Sequence, residues 1–251
     1  MTFTSRKIYF LMTAITLAAF LLAVSYTLLN TRPMETVSLH FEAVVDDDPL
    51  LFDQLLYPNP GGEGDFKIIS FLFYLSNIKL VGAAENYVEA DSYHLVRFDN
   101  RDNSFTIELE NVPRQNYETI EFSIGVDATA NNSINPIGDL DSNGRMAWSW
   151  DVGYKFVLFE GGLDLTKSLL PLVYHIGFDE NYKSMAFTLD QPSSGSRLQS
   201  VNFEVDIMRL FTGNARIDMA GLPDVKFDKN DAKSIANNYA AMITLRRNQG
   251  R

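Results

Sequence analysis

The chain has 251 residues, 46% hydrophobic and 21% charged, ample apolar material for one sizeable core, so an intrinsically disordered chain is excluded. A formal net charge of -11 and a pI near 4.7 give a surface that repels phosphate backbones, and with no lysine- or arginine-rich run, nucleic acid is excluded as a partner. There is no cysteine, which removes disulfides, thiol nucleophiles, cysteine-ligated zinc or iron–sulfur sites and a lipidated-cysteine anchor.

Arg6 and Lys7 precede an apolar run, Ile8 to Leu29, that contains no charged side chain. This reads as a signal peptide or N-terminal membrane anchor over residues 1–30. Positive charge before the run and an acidic chain after it keep the N-terminus cytoplasmic and send residues 31–251 across the membrane. Ala23 and Ser25 supply the small residues that a signal peptidase needs, and the run is also long enough to stay as an anchor, so both outcomes stand. Export without cysteine suits a bacterial envelope: a periplasmic domain, free or tethered to the inner membrane by residues 8–29.

Beyond residue 35 the apolar period is two. TVSLHFEAVV puts Val37, Leu39, Phe41 and Val45 on one face and Ser38, His40 and Glu42 on the other. FKIISFLFYLSNIKLV, YHLVRF, SFTIELE, ETIEFSIGV, GYKFVLFE, PLVYHIGF, SMAFTLD and SVNFEVDI are further strand candidates, separated by turn clusters such as PNPGGEGD and QPSSGSR. The pattern predicts an all-β chain: one antiparallel β-sandwich or barrel-like domain after the membrane or signal segment. One helix closes it, where KNDAKSIANNYAAMITLRR aligns Ile235, Tyr239 and Met242, with Asp231 placed to cap its start and Arg246 and Arg247 suited to its C-terminal dipole.

No phosphate-binding loop, dinucleotide fingerprint, HExxH or GxSxG elbow is present, and the carboxylates are too numerous for any pair to stand out as a general acid and base. A binding protein is therefore expected in preference to an enzyme. Asp139, Asp141 and Asn143 followed by Gly144 reproduce the opening of a calcium loop, yet the twelfth position is Trp150 where a glutamate would close it, so an EF-hand is excluded. A tight acidic turn and a bound calcium ion are the two readings. His40, His94 and His175 each fall in a predicted strand, where imidazoles serve either as hydrogen-bonded structural groups or as copper ligands. Met146, Trp148 and Trp150 alternate onto one face of an extended segment, as an aromatic core or rim pair would.

In order along the chain, SLHFEAVVDDDPL, FKIISFLFYLSNIKLV, ADSYHLVRFD, IEFSIGVDATANN, GDLDSNGRMAWSWDVGYKFVLFEG, VYHIGF and AKSIANNYAAM together resemble the MbnP-like copper-binding proteins. These are exported β-rich proteins often encoded beside methanobactin or di-haem peroxidase-like genes, and the resemblance runs from about Thr36 to Leu245. In studied relatives one tryptophan is oxidised to kynurenine, whose aryl amine joins two histidines in holding copper. Carried to this chain, the resemblance implies copper as cofactor and a di-haem peroxidase-like maturation partner. It makes Trp148 or Trp150 the modified residue, with His94 and His175, in YHLV and YHIG, as ligands. In the N-terminal strand relatives carry a histidine a residue or two beyond His40, the third candidate.

Overall fold

The computed structural model describes residues 16–17, 32–98, 103–149, 152–165, 168–190 and 198–246. The expected signal or anchor segment, apart from Thr16 and Leu17, lies outside the described residues, as do Trp150 and Arg247. Among the described residues no helix is long and apolar enough to cross a membrane.

The period-two runs become strands. In chain order these begin with β1 (Met34–Val45), β2 (Asp48–Pro49), β3 (Tyr57–Pro58), β4 (Asp65–Gly82) and β5 (Tyr87–Val88). Next come β6 (Tyr93–Arg97), β7 (Ser104–Pro113), β8 (Tyr117–Ile124), β9 (Ala147–Ser149) and β10 (Gly153–Asp164). The last are β11 (Leu169–Gly177), β12 (Lys183–Thr188), β13 (Ser200–Asp206), β14 (Asp224–Val225) and β15 (Ile243–Arg246). They form a five-stranded sheet around β1 and a ten-stranded sheet around β4. The 18-residue β4 is the spine of the larger sheet. It pairs with β10 along residues 65–73 and with β8 along 75–82, while β3, β5 and β6 also line it.

The inner faces of the two sheets meet in one aromatic-rich core, in which Phe41 stacks on Phe203 at 5.0 Å and Phe122 meets both edge-on. A second apolar cluster lies on the outer face of the large sheet. There Val126, Ala130, Leu140 and Met146, from the segment after β8, cover Tyr74, Phe156 and Leu158. The fold is thus the expected all-β sandwich with a C-terminal helix, Lys229–Tyr239, whose Ile235, Ala236 and Tyr239 are buried.

Three details differ from expectation. The sheets are not wholly antiparallel, because β1 runs parallel to β13 and β11 parallel to β14. The helix is capped by Asp228, which accepts from Asn230 and Asp231 N–H, and not by Asp231. The helix also ends at Tyr239. Ile243–Arg246 pairs with β13 instead of continuing it, and Arg246 there bridges Glu42 and Glu204, two carboxylates that the β1–β13 register sets side by side. A helix dipole is therefore not what places Arg246.

Candidate functional site

Across the large sheet the register β6–β4–β10–β11 decides which side chains share a face, because directly paired residues project to the same side. On the outer face Arg97 pairs with Leu72, Leu72 with Leu158, and Leu158 with His175; two residues along, Ser70 pairs with Glu160. His175 therefore points away from Tyr174 and Ile176, which enter the core. Its Nε2 lies 3.0 Å from Glu160 Oε1, and the other oxygen of Glu160 is ion-paired to Arg145, whose Nη1 donates to Ser70 Oγ at 3.1 Å. A hydrogen bond to a carboxylate puts the imidazole proton on Nε2 and leaves Nδ1 with the lone pair. Burial pushes the His175 pKa down, which the Glu160 hydrogen bond opposes and nearby Lys155 and Lys226 reinforce, so the neutral imidazole is favoured.

Trp148 comes to the same corner. Strand β9 pairs with the start of β10, and Lys155 fixes it from below: its backbone N–H donates to Met146 O, and its Nζ to Arg145 O at 2.6 Å and Ala147 O at 3.2 Å. Burial lowers the pKa of that ammonium, which Glu160 counteracts. The indole lies over Gly177, two residues beyond His175 on the same face, and only a glycine fits. A Cβ there would meet Trp148 Cζ3 and Tyr154 O, both at 2.6 Å. Phe178 and the exposed Phe227 flank the indole, each with its ring centroid 5.3 Å away, and Lys229 Nζ sits 5.1 Å from the Phe178 centroid.

The other histidines lie elsewhere. His94 pairs with Leu75, which belongs to the inner core, so it faces the opposite side of the sheet from His175, offset from it by three strand spacings, roughly 14 Å at about 4.8 Å each, and by three residues along β4, roughly 10 Å at about 3.3 Å each. Its Nε2 lies 2.8 Å from Glu89 Oε2, which also accepts from Ser92 Oγ at 2.5 Å. His40 occupies the outer face of the small sheet, with Nδ1 2.9 Å from Thr106 Oγ1. Among the described residues no three His, Asp or Glu side chains converge as a metal cluster.

In the acidic loop the carboxylates are given to backbone donors. Asp139 Oδ2 accepts Leu95 N–H at 2.9 Å, and Asp141 Oδ1 accepts Asn143 N–H at 2.8 Å, while Asn143 is exposed. This is the hydrogen bonding of a tight turn that ties the covering segment to β6.

Glu160, Arg145 and Lys155 were not singled out by sequence reasoning. A signal existed for Glu160: Phe156, Leu158 and Glu160 alternate along β10, so the carboxylate ends an otherwise apolar row.

A family model for MbnP matches residues 34–231. No curated protein matches the chain. Among solved structures, MbnP from Methylosinus trichosporium is similar, with a TM-score of 0.56 and 18% identity over 81% of this chain and 87% of that one, a likeness of fold. With most of its length inside the family match and its sandwich shared with that structure, the chain belongs to the MbnP family.

Proposed function

We propose that this MbnP-family protein is an exported copper-binding protein that works by binding and not by turnover, with the Trp148–His175 corner as its site. The observation that carries the reading is the juxtaposition of the two side chains on one sheet face, the indole lying over Gly177 and the imidazole two residues before it. Unmodified indole offers no lone pair to a metal. Oxidative cleavage of the indole C2–C3 bond at residue 148 by a di-haem peroxidase-like partner, with peroxide as the oxidant that supplies two oxygen atoms, followed by hydrolytic loss of C2 as formate, would give kynurenine and leave an aryl amine on the face that His175 shares. His175 would bind through Nδ1, with Glu160 orienting the ring through Nε2 as carboxylates do behind metal-bound imidazoles. Copper, when bound, supplies a cation suited to imidazole and amine nitrogen. The fit is partial: His175, residue 148 and Glu160 suit such a site, while His94 and His40 stand apart from it.

The test is the copper content of protein purified from its native envelope, with the mass of the peptide that carries Trp148. His175→Ala should abolish copper retention, Glu160→Gln should weaken it by about 10–100-fold, and His94→Ala should leave it intact. Loss of copper in His94→Ala with retention in His175→Ala would sink the assignment.

A second reading, a metal-free interaction module of the envelope, is favoured by one observation: all three histidines are already hydrogen-bonded to protein side chains, at separate places. It predicts native protein without copper and an unmodified tryptophan peptide.

A further inference from the structure

From Arg32 onward the chain is tied to the domain. Arg32 Nη1 lies 3.1 Å from Glu85 Oε1 and 3.2 Å from Gln115 Oε1, Arg114 N–H donates to Pro33 O at 2.9 Å, and β1 begins at Met34. The loops at 82–86 and 113–116 are themselves joined there, since Gln115 Nε2 donates to Glu85 O at 2.8 Å and Ala84 N–H to Gln115 Oε1 at 3.3 Å. The uncharged apolar run ends at Leu29, so only Asn30 and Thr31 separate it from the fixed Arg32. Three peptide steps at about 3.5 Å span at most about 10 Å. With the run as an anchor, the first fixed residue of the domain lies within that distance of the bilayer.

The charge on the two ends of the sandwich points the same way. With Arg32, the loops at this proximal pole carry Arg114 against Glu85, and otherwise small or uncharged residues such as Ala83, Ala84, Asn86 and Asn116, while Glu35 and Glu118 stand at the strand ends beside them. At the distal pole, residues 46–65 hold Asp46, Asp47, Asp48, Asp53, Glu63 and Asp65, which outnumber the basic residues there: Lys67, which answers Asp53 at 3.4 Å, Arg209, paired with Asp206, and Arg216, which reaches Pro60 O. Anionic headgroups repel the distal pole more strongly than the proximal one.

We propose that, with residues 8–29 held in the bilayer, the domain is seated on the lipid surface by its proximal pole, loops 82–86 and 113–116 against the headgroups. This rests on the exported, anchored reading of the N-terminus. The consequence is positional. Leu75, near the level of Gly177, lies seven residues from Gly82 along β4, so at about 3.3 Å per residue this seating holds the Trp148 corner roughly 20 Å from the membrane.

The absence of native cysteine makes the test direct. Full-length Ala84→Cys and Leu55→Cys proteins, both altered at exposed residues, are labelled with a small environment-sensitive fluorophore. Each is reconstituted into phosphatidylethanolamine–phosphatidylglycerol vesicles with and without a headgroup spin-label quencher. The Ala84 label should be quenched several-fold more strongly than the Leu55 label. Protein that floats with the vesicles but shows equal quenching would overturn the seating while leaving the anchor. Protein that fails to float would overturn the anchor and the seating with it.

Discussion

Substituting Gly177 by alanine should loosen the corner that joins Trp148 to β11. The new methyl would meet the indole edge and a backbone carbonyl of β10, each at 2.6 Å, so both contacts must open by about 1 Å to reach ordinary carbon contact near 3.5 Å. Neither neighbour yields cheaply. The indole is held between Phe178 and Phe227, and Tyr154 O belongs to a strand whose Lys155 registers directly with Gly177. Overpacking of this kind costs about 1–3 kcal/mol, which for a chain of this size lowers Tm by about 2–4 °C per kcal/mol. Urea denaturation followed by far-UV circular dichroism measures the loss, and near-UV dichroism reports the displaced indole. Trp148→Ala should recover part of it, since it removes the ring and leaves the carbonyl; the double-mutant cycle should give a coupling of about 1 kcal/mol. A Gly177→Ala protein within about 0.5 kcal/mol of wild type, with no coupling to residue 148, would refute the packing.

Asp139→Ala should cost about 1 kcal/mol by leaving Leu95 N–H without its acceptor, to the same extent with and without millimolar calcium; a loss seen only with calcium would establish a cation site instead of a turn. Asp206 is buried, and burial raises its pKa above 3.8 against the pull of two backbone N–H donors, from Asp46 and Met208, both at 3.0 Å. A raised folded-state pKa means that its contribution to stability is fully present below about 3.8 and is lost as pH rises through the folded value. Asp206→Asn should therefore cost under about 1 kcal/mol at neutral pH and remove that slope, while Asp206→Ala, which strands both donors, should cost about 1–3 kcal/mol. Equal losses in the two variants, read by thermal melts across pH 3–7, would show that the carboxylate charge and not its acceptor geometry matters.

The strands were legible because a half-buried strand must alternate, and β1, β8 and β13 do so almost without exception. The direction of β13 beside β1 was not, since alternation is identical for parallel and antiparallel neighbours; what closes that edge is β15, hidden in a stretch that reads as helix until Ile243 and Thr244 break it. The candidate site shows the same limit more sharply. YHLV and YHIG look interchangeable, each a histidine between a tyrosine and an aliphatic residue on the other face. Yet Tyr93 faces the outer cluster, which turns His94 inward beside Leu75, whereas Tyr174 enters the core and turns His175 outward to Glu160. Which face a strand gives to the core is set by its partners, through β4 for one motif and β10 for the other. MAWSW marked Trp148 and Trp150 alike, and the meeting of Trp148 with one histidine and not the other depends on the β9–β10 and β10–β11 pairings that bring the indole over Gly177.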